Sequence, residues 1–272
     1  MSKLSIGPIG IALNVSDDDS HLKQAAELEE LGYGTIWLPG GQIDRLDRIT
    51  AIIEATTSVP VASGIIPVDH FEPGAVAELH ARSAGRFVVG LGGPQQPRPM
   101  AGLNDWLDRL DRARPPVPAA ARILAALGPR KLELAAARAA GAIALLVNPG
   151  YTAWARGILG EPPTLVIDQM VVLDTDAARA RETARRPLRF LSGIGGYRAA
   201  FARMGFTADE IDALSDRLVD DLVTWGSASD IAERVSAHLE AGADQVAITV
   251  LSGDGQPGPG PAARLLADAL PC

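Results

Sequence analysis

Along this chain, helical patterning repeatedly ends in a glycine-containing turn and passes at once into a short apolar, β-rich run. Leu28 to Leu38 (LEELGYGTIWL), Ala81 to Leu91 (ARSAGRFVVGL), Ala137 to Val147 (ARAAGAIALLV) and Leu239 to Leu251 (LEAGADQVAITVL) all follow this pattern. A glycine just past a helix accepts the left-handed conformation that closes it, and an uninterrupted apolar run suits a strand buried on both faces of a parallel sheet. Read this way, the chain predicts eight strands, at about Ile6 to Leu13, Thr35 to Leu38, Val59 to Ile66, Arg86 to Leu91, Arg122 to Leu127, Ala142 to Val147, Leu165 to Leu173 and Gln245 to Leu251. Between them Val76, Leu79, His80 and Ser83, then Leu132, Ala135, Ala136 and Ala139, then Ile231, Val235 and Leu239 each fall on one helical face.

Eight alternating units close most simply into a single (β/α)₈ barrel spanning residues 1–272, although an open doubly wound sheet shares the alternation. Two stretches break the repeat. Arg112 to Pro118 (RARPPVP) reads as a surface crossing ahead of the fifth strand. Asp174 to Trp225 is rich in helical patterning and predicts a helical insertion, residues 174–225, over or beside the barrel mouth. Gly253 to Pro261 reads as a loop before a short closing helix.

Composition sharpens this picture mainly by exclusion. With 272 residues, 47% hydrophobic and 21% charged, the chain has enough apolar side chains for a full core without disulfides or metals. Its formal charge of −8, with no run of lysine or arginine, argues against nucleic acid as a partner. Cys272 is the only cysteine, so there is no disulfide framework and no thiolate metal cluster. The apolar stretch near the start is broken by Gly7, Pro8 and Gly10 and is too short for a signal or membrane segment, so a cytoplasmic location with no membrane partner is expected.

Barrel chemistry sits at the C-terminal ends of the strands, and those positions hold few acids and bases. Ala126 to Lys131 (ALGPRK) carries the clearest physical signal: Gly128 leaves the backbone open, Pro129 suits a first helical turn, and Arg130 and Lys131 add charge to an anion cradle. The same residues also serve as an ordinary strand-to-helix turn with two solvated cations. Gly90 to Gly93 allows a planar ring or phosphate close to backbone, or simply a tight turn. Ser63 to Pro67 (SGIIP) ends the third strand and can hold an unusual backbone beneath a ring system. Of the four histidines only His70, beside Asp69, is placed near the mouth, as a general acid or base or as a solvated pair. His80 reads as a packed structural histidine, and His21 and His238 lie on outer helices. Serine-hydrolase order, metal-ligand spacing and a phosphate-binding Walker loop are all missing from the sequence.

Several stretches together resemble the luciferase-like monooxygenase superfamily, and within it the actinobacterial deazaflavin-dependent oxidoreductases that use coenzyme F-420. They are Gly7 to Leu13, Ala26 to Pro39, Gly85 to Gly92, Pro116 to Leu134, Val171 to Arg181, Ser215 to Gly226 and Ile231 to Leu251. The resemblance implies a β/α barrel, commonly a homodimer, that binds FMN or the deazaflavin noncovalently and exchanges a hydride with a small-molecule substrate. It implies a non-proline cis bond at Gly64 and Ile65 behind the ring and a phosphate site at Gly128, Pro129, Arg130 and Lys131; Ser63, Gly92 and Gly93, from the reading of the strand ends, complete the expected cofactor-binding set. Substrate would then be hydrogen-bonded or protonated by Gln95, Gln96, Tyr151, or Asp69 with His70. The chain departs from the family pattern in three places. It has Gly93-Pro94-Gln95-Gln96 where Ser-His-Ala-Pro is usual, Asn148-Pro149-Gly150-Tyr151 for Thr-Pro-Glu-His, and Asp168-Gln169-Met170 for Glu-Gln-Lys. Three functions follow: an F-420-dependent oxidoreductase first, an FMN monooxygenase using molecular oxygen second, and a barrel that has lost its redox cofactor third.

Overall fold

The computed structural model describes residues 3–93 and 99–270. Eight strands form the wall: β1 (Ile9–Ala12), β2 (Ile36–Pro39), β3 (Val61–Gly64), β4 (Phe87–Gly92), β5 (Arg122–Ala125), β6 (Gly141–Leu145), β7 (Thr164–Leu173) and β8 (Gln245–Val250). Each pairs in parallel with the next, and β8 pairs with both β7 and β1, so the sheet closes. The eightfold α/β alternation therefore ends as a barrel and not an open sheet.

Helices α1 (Ser20–Glu30), α2 (Asp47–Ala55), α3 (Pro73–Arg82), α4 (Pro99–Arg112), α5 (Pro129–Arg138) and α6 (Pro149–Leu159) follow the first six strands in turn. Their apolar faces meet the outward side chains of the wall, among them Ile11, Leu38, Val61, Val89, Leu124 and Ile248, in one continuous core. Pro73, Pro129 and Pro149 each stand in the first turn of their helix, where a missing N–H costs nothing. The expected packing histidine is found at His80, whose Nδ1 lies 3.1 Å from the Phe87 carbonyl oxygen and donates to it.

Beyond β7 the chain forms α7 (Ala177–Leu191), α8 (Gly195–Arg203), α9 (Ala208–Ala213) and α10 (Asp216–Leu222), then a short strand, Thr224–Gly226, that pairs with Val171–Leu173 of β7. The insertion buries Ala184, Leu188, Phe201, Leu218 and Leu222 against Leu146, Met170 and Val172 at the ends of β6 and β7, so its core is continuous with the barrel wall. Helices α11 (Ala228–Glu240) and α12 (Pro259–Ala267) flank β8 and complete the outer ring.

The third strand differs from its sequence expectation. Instead of running on through Ile66 it stops at Gly64, passes through a cis Gly64–Ile65 peptide, and pairs with β4 again only at Ile66–Pro67. Ala62 is opposite Val88 and Ile66 opposite Leu91, so β3 carries one residue more than β4 across this interval, a bulge at the rim of the barrel. An apolar, alternating run reads the same with or without such an extra residue, which is why periodicity did not show it.

Candidate functional site

The burial pattern of the strands locates the mouth. Trp37, Ala62, Val88, Ile123, Ile143, Val166 and Ala247, one from each of seven strands, pack together inside the barrel, and Gly10 of β1 abuts Trp37. These residues form a closed lower tier; the Trp37 indole N–H donates to Gln245 Oε1 at 2.8 Å beneath it. Two residues further along each strand, on the same face because side chains alternate, stand Ala12, Pro39, Gly64, Gly90, Ala125, Leu145, Asp168 and Thr249. All but Gly90 are partly exposed, although the outward faces of the same strands are sealed by helices. Solvent reaches them through the mouth, so this upper tier is the floor of an open site. On the β1 to β5 side it is built from alanine, proline and glycine, which leaves room for a flat group; on the β7 and β8 side it is polar.

Glycines fit the bulge against its neighbours. A Cβ on Gly40 would collide with the Ile65 carbonyl, one on Gly90 with the Ser63 carbonyl, and one on Gly92 with the Ile65 side chain. Ser63 is fully buried, and its Oγ donates to the Gly90 carbonyl and accepts from the Gly90 N–H, both at 2.9 Å, satisfying the ladder groups the bulge leaves open. Thus Ser63 serves the wall, while Gly64 belongs to the accessible floor and the partly exposed Ile65 follows it.

On the opposite side Thr249 Oγ1 donates to Asp168 Oδ1 at 2.7 Å. Desolvation inside the barrel pushes the Asp168 carboxyl up to about 6, against the stabilising hydrogen bond from Thr249. Tyr197, reaching over from α8, has its phenol pushed up by burial and secondarily by the charge of Asp168. Asp168 is therefore enclosed by protein yet touched by solvent. Behind it, Gln169 points outward: its Nε2 donates to the carbonyls of Met170 and Leu222 at 2.9 and 3.2 Å, and its Oε1 accepts from His238 Nε2 at 3.0 Å. That leaves His238 Nδ1 to accept from Thr152 Oγ1 at 2.8 Å, and burial holds the ring neutral, with its pKa pushed down to about 3. This network joins α6, α11, β7 and α10 and fixes the strand that carries Asp168.

The loop after β5 has the form of an anion site. Gly128 is the N-cap of α5 with no side-chain cap, and its Cβ position is open space, so protein packing does not account for a glycine there. Arg130 is exposed; Lys131 is half-buried, and desolvation lowers its pKa. Among the described residues no carboxylate lies within ion-pair distance of either. From the insertion, Arg203 donates to the Leu127 carbonyl at 3.2 Å and lies over the Trp154 ring at 4.6 Å. These groups fit a phosphate: an open helix start, free cations, and room for close backbone approach.

The other sequence candidates are scattered. Asp69 and His70 are exposed on the turn after Ile66–Pro67, with no hydrogen bond joining their side chains. Tyr151 is buried between α5 and α6, its hydroxyl 3.3 Å from the Ala126 carbonyl and its ring 5.0 Å from that of Trp154. It borders a cleft of about 290 Å³ shared with Asn148, Trp154 and Arg203, beside the anion loop. Gly93 follows β4 half-buried, while Gln95 and Gln96 lie outside the described residues. A larger cleft, about 490 Å³, lies within the insertion between Phe206, Arg217 and Asp220, away from the strand ends. Sequence reasoning left Asp168 without a role and passed over Thr249, Tyr197 and Arg203. The only available signal was position, just at or past strand ends and within the insertion. Among the described residues there is no cluster of metal-ligating side chains, and no helix is long and apolar enough to cross a membrane.

Comparison with known proteins agrees with the barrel fold. The luciferase-like monooxygenase family model matches residues 15–117, and no curated relative matches the sequence. An F-420-dependent secondary alcohol dehydrogenase, solved with an F-420–acetone adduct, is similar at 14% identity, covering 99% of this chain and 98% of its own, with a TM-score of 0.68. The F-420-dependent tetrahydromethanopterin reductase of Methanopyrus kandleri is similar at 15% identity, with 99% of both chains covered and a TM-score of 0.67. The oxygenating constituent of 3,6-diketocamphane monooxygenase from Pseudomonas putida, solved with FMN, is similar at 14% identity, covering 97% of this chain and 96% of its own, with a TM-score of 0.66. The family model thus matches residues 15–117, and the chain shares the barrel fold along nearly its whole length with these structures.

Proposed function

We propose that this protein is a flavin-type oxidoreductase that uses the deazaflavin coenzyme F-420 to exchange a hydride with a small organic substrate. The observation that carries this reading is the upper tier of the barrel. It is a solvent-reached floor of small residues, with one carboxyl group on the opposite strands. The ring would rest on Gly64 and Ile65, with Gly92 buried beneath the Ile65 side chain, and the phosphate at Gly128, Arg130 and Lys131. When bound, the coenzyme supplies the hydride chemistry, and the chain supplies position, polarity and exclusion of water. An FMN-dependent monooxygenase is the second reading, favoured because the same loop would suit an FMN phosphate and an FMN-bearing neighbour shares the fold. Both place the protein among enzymes, and self-association into a homodimer belongs to the same reading.

Absorbance of the purified protein, followed by fluorescence titration with F-420 and with FMN, tests this directly. Tight binding of one and weak binding of the other assigns the cofactor. Lys131→Ala is expected to weaken binding about tenfold or more while leaving the fold intact, since a charge-assisted hydrogen bond contributes roughly 1.5–3 kcal/mol. A parent protein that binds neither ring would overturn the proposal in favour of a barrel without redox chemistry.

A further inference from the structure

We infer that Asp168 is the proton donor and acceptor for whatever reacts in the mouth, with Thr249 as its positioning partner. This deepens the redox reading above and rests on it. Among the eight upper-tier positions, Asp168 is the one ionisable side chain, and the chemistry of carbonyl reduction needs one proton for each hydride. Thr249 occupies Oδ1 at 2.7 Å, and no hydrogen-bond partner is found for Oδ2 among the described residues, so one carboxyl oxygen is held and the other is left without a protein partner there. Neighbouring groups leave the carboxyl alone in charge: β6 contributes Leu145, β8 contributes Ala247 and Thr249, and α8 contributes the phenol of Tyr197. Burial raises the carboxyl toward neutrality, so both protonation states are accessible near physiological pH.

The balanced step is short. In the reducing direction a hydride from the reduced deazaflavin or flavin is received at the carbonyl carbon of a small aldehyde or ketone. The C=O π pair moves onto oxygen, and the Asp168 O–H proton is transferred there, giving an alcohol and a carboxylate. In the oxidising direction the carboxylate takes the hydroxyl proton as the hydride leaves carbon for the oxidised ring. Nothing else need enter apart from bulk protons that reset Asp168.

The test uses the full chain and needs no substrate. NMR of protein with isotope-labelled aspartate carboxyls is followed across about pH 4 to 8, alone and with F-420 or FMN, in the parent, Asp168→Asn and Thr249→Val. The parent is expected to show a carboxyl titrating near 6, missing in Asp168→Asn, moved further up in Thr249→Val, and displaced again when the ring binds. Cofactor affinity in the parent is expected to change about tenfold more between the ends of that pH range than it does in Asp168→Asn, which corresponds to one unit of displacement. A ring that binds normally without moving this resonance, or a resonance titrating in the ordinary carboxylate range, overturns the inference and leaves the cofactor reading standing. Failure of both rings to bind overturns the cofactor reading and this inference together.

Discussion

The lower and upper tiers of this barrel come from the same strands, two residues apart, and differ in almost everything that matters. The lower tier has Trp37, Val88, Ile123, Ile143 and Val166, closes on itself and is shut off from water. The upper tier replaces large side chains with Ala12, Pro39, Gly64, Gly90 and Ala125 on one side and sets Leu145, Asp168 and Thr249 on the other. The first behaves as core, in which each buried side chain contributes roughly 1.5–3 kcal/mol. The second gives up packing to leave space, and it tolerates a carboxyl group that the lower tier would exclude. Stability and function therefore occupy adjacent levels of one interior, and substitutions at the two levels should behave differently.

The sharpest contrast is expected from Trp37→Ala, which empties the lower tier and removes the donor to Gln245 Oε1. A loss of about 3–5 kcal/mol in urea unfolding is anticipated, as for large aromatic truncations in cores. Gly90→Ala follows, because its methyl would meet the Ser63 carbonyl, which is backbone and cannot swing away. Roughly 1–3 kcal/mol should be lost, with ring binding weakened as β3 and β4 are pushed apart.

Asp168→Asn is expected to act in the opposite sense. Its folded pKa, about 6, lies above the ordinary carboxylate value, so the native state binds the extra proton between those two points. Stability from this site is fully present below about pH 4 and is lost as pH rises through 6. The variant should match the parent in acid and exceed it by roughly 1–2 kcal/mol near pH 8, discounted for the solvent that reaches the group. Thermal unfolding across pH measures this; equal stabilities at all pH values would show Asp168 to be well solvated. Ala125→Val should be the smallest in stability, within about 0.5 kcal/mol, because its added methyls enter the open floor. Its effect should fall on cofactor binding, and a variant that binds the ring as the parent does would place the ring elsewhere.

Eight αβ units, the outer helix faces and the helical insertion were all legible from periodicity, because each records which side chains must leave water. Ser63 to Pro67 and Gly90 to Gly93 were visible as permissive segments, and the resemblance marked Gly64–Ile65 as the place of a cis bond, where one is found. The sequence also marked Gly128 to Lys131 as a helix start with two cations. What it could not mark was which residues of each strand face inward. Barrel strands are apolar on both faces, so an alternation that separates core from solvent in an exposed sheet is silent here, and Asp168 reads as one polar residue in a buried run. Only closure of β8 onto β1 assigns Asp168 and Thr249 to the interior and places them across from the small-residue floor. The insertion adds the remaining decision, since Tyr197 and Arg203 come near Asp168 and Leu127 through packing between segments far apart in the chain. Local sequence determined the elements and their outer faces through burial; the tertiary structure alone decided what the inner face holds, because that depends on register and closure.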